Sequence, residues 1–192
     1  MSPVLVNPYL SFGTAGPVDL SEPWGEVARQ ESLSSGKLNV SGLDLSGITA
    51  LRLFINGVTV TTDDSTIKLT FIIAGSEITA NYAWEHERFI GGSVNPTGST
   101  SDSSIALTAT AATHGVGNAS TESFGAVVTI HAPTGTQHKK CFYRSWWLRP
   151  DGTGAEATVG GGQLANSGAI TGFVVSGSSD LTGGNVIVLG VE

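Results

Sequence analysis

Glu85-His86-Glu87-Arg88 is the densest group of ionisable side chains in the chain. Two carboxylates and an imidazole this close in sequence are raw material for a metal site or an acid/base pair. On an extended backbone, however, successive side chains alternate, so Glu85 and Glu87 face one side while His86 and Arg88 face the other. That divergence does not suit a single metal ion, and the group is expected to be a solvated strand end. His114, His131 and His138 are isolated in sequence and lie in no zinc-type spacing. Serine is abundant, yet no Gly-x-Ser-x-Gly elbow occurs, and Gly177-Ser178-Ser179 falls in a link between two strand-like runs. Gly160-Gly161-Gly162 reads as a break, and no helix opens after it, as a phosphate cradle would require. Asp102 and Glu122 are paired carboxylates only in the sense that any two acids are. No catalytic constellation emerges. The expectation is a non-enzymatic protein with no cofactor and no metal ligands.

The aromatic run Phe142-Tyr143-Arg144-Ser145-Trp146-Trp147 is the other feature with chemical potential, as a stacking platform for sugar rings. Alternation sends Trp146 and Trp147 to opposite faces, so one is expected in the core and the other at an interface. Surface recognition, if present, is assigned to Trp147 together with Asn95 and Thr97 of a long polar loop over 91–104. Cys141, the only cysteine, excludes an intramolecular disulfide and reads as a small buried apolar residue. Asn39-Val40-Ser41 and Asn118-Ala119-Ser120 match glycosylation acceptors, which matter only on a secretory route.

The elements that must position these residues are strands. Leu38–Leu43, Ala50–Val58 and Thr66–Ile73 carry period-two or β-branched apolar runs, and the fully apolar end of the third implies a strand covered on both faces. Asn56-Gly57 marks a tight turn or bulge. Ile78–His86, Ser104–Ala111, Gly125–His131 and Lys140–Leu148 continue the series, with Pro150–Gly154 as a turn. The final third, Phe173–Ser176 and Asn185–Val191 joined through Gly177–Gly184, reads as a closing hairpin. Glu22–Leu33 is the best helical candidate, at one or two turns. Eight to ten strands with turn-rich links and no fixed repeat predict an all-β fold, an antiparallel β-sandwich of jelly-roll type, over residues 25–192. Residues 1–24 differ. Pro3, Pro8, Pro17 and Pro23 prevent helix and central strand, leaving an extended arm whose Val4, Leu5, Val6, Tyr9, Leu10 and Phe12 are too apolar for a free tail. The arm is expected to dock on a neighbouring molecule, with Val4, Val6, Tyr9, Leu10 and Phe12 as the docking residues.

Composition narrows the partners. At 192 residues the chain can bury a core as one domain, and its 40% hydrophobic and 13% charged content describes an uncharged, hydroxyl- and glycine-rich surface. Such a surface suits packing against other protein copies, where each buried charge would need a partner. Net charge is −7, from 9 basic and 16 acidic residues, and the one compact basic cluster is His138-Lys139-Lys140. That balance argues against a nucleic-acid partner. The N-terminus has neither the charged nor the apolar region of a signal peptide, and no stretch is long enough to span a bilayer. Assembly in cytosol is the expectation.

Several segments resemble structural proteins of tailed bacteriophages. They are Asp102–Leu107, Gly115–Ala119 with Glu122-Ser123, Thr129–Pro133 with His138-Lys139-Lys140, and the closing Ala169–Gly172 segment. Val6-Asn7-Pro8-Tyr9 is similar to the opening of many phage tail-associated proteins. The pattern departs at Leu189-Gly190, where such chains usually carry a tyrosine between leucine and glycine. The resemblance implies a virion structural protein made in the host cytoplasm, tail- or fibre-associated and open to host contact. It also implies a homo-oligomer, expected as a trimer, bound to other virion proteins. The alternatives are a capsid decoration or cement protein on the head, and a carbohydrate-binding module recognising a host surface glycan.

Overall fold

The computed structural model describes residues 24–109, 114–119, 121–150, 152 and 154–192. The apolar arm expected over 1–24, with Val4, Val6, Tyr9, Leu10 and Phe12, lies outside the described residues except for Trp24, whose ring packs under the Arg52 guanidinium at 4.5 Å. The described chain is all-β and forms two antiparallel sheets, one of them curled, in a β-sandwich.

The strands in chain order are β1 (Gly25–Gln30), β2 (Leu38–Ser41), β3 (Ala50–Val60), β4 (Ile67–Ile73), β5 (Ser76–Glu77), β6 (Tyr82–Ile90) and β7 (Ser93–Asp102). They continue with β8 (Ile105–Ala106), β9 (Phe124–His131), β10 (Lys139–Leu148), β11 (Ala155–Leu164), β12 (Ile170–Gly177) and β13 (Leu181–Val191). The larger sheet has the order β1-β13-β3-β9-β10-β11-β6-β7, and the smaller runs β2-β12-β4-β5, with β8 also paired to β4. Leu51, Leu53, Ile55, Val128, Ile130, Tyr143 and Trp147 from the larger sheet meet Leu69, Phe71, Phe173 and Val175 from the smaller one. The Phe71 ring lies 6.0 Å from Tyr82 and 6.1 Å edge-on to Phe173. β4 is buried at almost every position, as its apolar run requires.

The structure corrects the sequence reading in several places, each for a physical reason. β12 and β13 are not a hairpin: β12 pairs with β2 and β4, while β13 crosses to the other sheet and lies between β1 and β3. Two β-branched runs around a Gly/Ser link look alike whether the chain folds back or changes layer. The helical candidate over Glu22–Leu33 contains strand β1, because pairing with β13 outweighs its weak local helix preference. The polar segment 91–104 is not a loop. Ile90 pairs with Ser93 across Gly91-Gly92, both at positive φ (50° and 86°), which is the two-residue turn that Gly-Gly permits. β7 then forms the sheet edge, where Pro96 needs no ladder partner for its missing N–H. Gly160–Gly162 does not break the chain either but lies within β11. Of the strand expected over Ser104–Ala111, the described residues form only β8. Asn56-Gly57 is a bulge within β3, where the register to β9 slips between Ile55 and Val58 and Gly57 takes φ 60°.

Candidate interaction surface

The strands β10, β11, β6 and β7 alternate their side chains between an inner face turned toward the core and an outer, exposed face. On the inner face, β8 approaches the larger sheet closely. Gly162 allows this, since a Cβ there would stand 2.8 Å from Ile105 Cδ1. The carbonyls of Ala106 and Leu107 then point at the sheet and need donors. Tyr143 Oη donates to Ala106 at 2.8 Å, and Thr158 Oγ1 donates to Leu107 at 3.0 Å, with Ser145 Oγ hydrogen-bonded to the same carbonyl.

His86 Nδ1 lies 3.0 Å from Tyr143 Oη. The tyrosine proton is committed to Ala106, so the imidazole donates from Nδ1. Burial away from water, with Arg88 nearby adding to the effect, lowers its pKa to about 4 against a weaker opposing contact with Ala106. The two rings meet over Gly160, which stands between them in register (Tyr143↔Gly160↔His86). Any Cβ at Gly160 would collide with His86 Cβ and the Glu85 carbonyl. The Glu85–Arg88 group is therefore no solvated strand end. It sits within β6, with His86 buried and stacked on Trp84 at 5.1 Å.

Trp147 is also on the inner face. The surface-recognition role expected for it is corrected: it is 2% exposed, and its Nε1 donates to the His114 carbonyl at 3.2 Å. Beside it in register is Glu156, fully buried, whose Oε1 accepts from His114 Nδ1 at 2.8 Å with Arg149 Nε at 3.5 Å. Nothing local in the sequence marks Glu156, which sits in a weakly apolar stretch 42 residues from His114. Asn95 and Thr97 pair with Arg88 and His86 on β6, so they belong to the face opposite Trp146. The three residues expected to form one recognition surface are not brought together.

Asp102 accepts from Trp84 Nε1 at 3.0 Å and from Ser103 N at 2.6 Å. Burial raises its pKa, but these hydrogen bonds outweigh that and lower it overall. Glu122 instead closes a turn, accepting from Ala119 N at 3.0 Å. Cys141 is buried, its thiol pushed up to about 12 by loss of water. Ser178 and Ser179 hydrogen-bond Thr66 N and Ser65 Oγ, so these serines tie the link between β12 and β13 to the start of β4. Among the described residues no group of His, Cys, Asp and Glu is placed to hold a metal ion, and no helix is long and apolar enough to cross a membrane.

The outer face carries the exposed apolar groups. Phe142, Trp146 and Leu148 on β10, Val159 on β11, Phe89 on β6 and Val94 on β7 are the large exposed hydrophobics of the described residues, and all share this face. Phe142 is 64% exposed and Trp146 48%. One register row runs Gly125–Trp146–Ala157–Phe89–Val94 across five strands. The Trp146 indole lies over Gly125, where a Cβ would come within 2.6 Å of the ring, so the glycine forms its seat. The next row runs Val127–Arg144–Val159–Glu87–Pro96, and the one after it Thr129–Phe142–Gly161–Glu85–Gly98. Open depressions of about 320, 410 and 430 Å³ surround Phe142 and Val159. This is a scalloped surface rather than a cleft, suited to contact over area more than to enclosing a small molecule. No protein-family profile, curated protein sequence or solved structure matches this chain.

Proposed function

We propose that the chain is a non-enzymatic structural protein of a tailed-bacteriophage virion, tail- or fibre-associated, which works by contact with its own copies and with other virion proteins. The observation that carries this reading is the concentration of exposed large apolar side chains on one face of β10, β11, β6 and β7. A surface of that kind is characteristic of proteins that bury it in an assembly. The phage-like segments and the low charge support the same reading, as does the apolar character of residues 1–23. Assembly in the host cytoplasm and residence in the particle follow from it.

Mass spectrometry of purified particles tests the proposal. Peptides of this chain at a handful to a few dozen copies per particle support it. Hundreds of copies would move the protein to the head as a decoration subunit, and absence from particles would overturn the virion reading. Deleting residues 1–23 should abolish incorporation while leaving the sandwich folded; normal incorporation would remove the arm from docking.

A carbohydrate-binding role is the second reading, favoured by the half-exposed Trp146 indole seated over Gly125. A glycan array with no signal, or a signal unchanged by Trp146→Ala, would eliminate it.

A further inference from the structure

We infer that the outer face of β10, β11, β6 and β7 is a self-complementary interface that pairs with the same face of a second copy about a two-fold axis running along β11. This deepens the assembly reading above and rests on it only in taking the partner to be another copy of this chain.

The argument is one of register and charge. On this face β10 carries Lys140 and Arg144, β6 carries Glu85 and Glu87, and β11 between them is uncharged, with Ala157, Val159 and Gly161 facing outward. Positive and negative flanks thus stand one strand to either side of a neutral centre. Among the described residues no ion pair engages Lys140, Arg144, Glu85 or Glu87. Arg144 and Glu87 occupy the same row, on strands separated by β11, and so are roughly 9–10 Å apart at the backbone.

A two-fold axis along β11 exchanges the strands on its two sides and preserves the rows. Arg144 of one copy then faces Glu87 of the other, twice over, with Val159 against Val159 at the axis. In the adjacent row Trp146, lying over Gly125, faces Phe89 and Val94 of the second copy. Near the axis, Gly161 leaves open space into which Phe142 already leans, its Cδ1 only 3.6 Å from where a Cβ would stand. A two-fold axis lying across the strands at the Arg144 row would instead set Arg144 over Arg144 and Glu87 over Glu87. The charge pattern therefore favours the axis along β11 among the isologous arrangements. The five strands from β9 to β7 span about 19 Å and three rows add about 14 Å, so side chains included the patch lies toward the lower end of specific interfaces. A dimer of modest affinity is expected.

Charge reversal tests the geometry. Sedimentation velocity of the full-length chain up to about 100 μM, a range that reports micromolar association, should show a dimer. Arg144→Glu alone, or Glu87→Arg alone, places like charges opposite each other at both symmetry-related positions. Each should weaken dimerisation on the order of tenfold or more. The double variant carrying Arg144→Glu and Glu87→Arg should restore it. Circular dichroism and melting of each variant check that the monomer is unaltered. A wild-type chain that stays monomeric, a dimer indifferent to the single reversals, or a double variant as weak as the singles would each overturn the inference. A dimer indifferent to the reversals would point to residues 1–23 or another face as the contact. The virion reading fails separately, on particle composition: a charge-sensitive dimer absent from particles would keep this interface and discard that function.

Discussion

The two faces of the β10–β11–β6 region both mix polar with apolar side chains. Inward, His86, Tyr143, Ser145, Thr158 and Glu156 are buried among Tyr82, Trp84 and Trp147, while outward Phe142, Trp146, Val159 and Phe89 stand exposed among Lys140, Arg144, Glu85 and Glu87. Tyr143, Ser145 and Thr158 are there because β8 and the residue after it press carbonyls against the sheet that need side-chain donors. The outer apolar groups stay largely exposed among the described residues. Burial alone therefore misleads about role in this molecule: the buried histidine and acid belong to architecture, and the exposed aromatics are the surface left for something else.

The inner face should be fragile. Gly160→Val drives a side chain into the space where His86 and Tyr143 meet, and thermal or denaturant unfolding should register a loss of about 3 kcal/mol or more. Stability comparable to wild type would show that the two rings do not depend on that glycine.

Acid should reveal the same face. His86 is neutral when folded, with a pKa of about 4, and protonates near 6.5 when unfolded. Between those values the unfolded state holds the extra proton, so stability falls as pH drops from about 6.5 to about 4, by an amount on the order of 3 kcal/mol. His86→Gln should flatten that part of the profile, measured by urea titration at a series of pH values.

Tyr143→Phe is the milder cut. It strands the Ala106 carbonyl and the His86 donor and should cost roughly 1–3 kcal/mol. The outer face should be indifferent by contrast. Val159→Asp ought to change folding stability by only about 0.5 kcal/mol or less, as exposed substitutions do, while abolishing the dimer by setting two carboxylates together on the axis. A large melting-temperature drop for Val159→Asp would mean that the outer face is held within the chain after all.

Much of the framework was legible in the sequence because period-two patterning fixes which side chains share a face. It correctly separated Glu85 and Glu87 from His86, and Trp146 from Trp147. It could not say which face is inner. The sequence offers Trp147 as readily as Trp146 for the exposed indole, because both orientations of an alternating strand read the same until the layer above is known. β7 was hidden because an edge strand needs no apolar stripe, and Ser, Thr, Gly and Pro obscure its period. The glycines of β11 read as a break for the opposite reason: their missing side chains are filled by neighbours from β8 and β6 that sequence order does not bring near. The contact of Glu156 with His114 joins residues 42 apart, and no local pattern announces it.

The placement of β13 bears on how the molecule comes together. It lies between β1 and β3, so β3, at Ala50–Val60, waits for a neighbour formed by Leu181–Val191. Loop closure over that span is entropically slow, and topologies dominated by such distant pairings reach the native state in milliseconds to seconds rather than microseconds. Until that late strand docks, one ladder side of β3 stands open, and crowded nascent chains have that interval in which to pair with one another incorrectly.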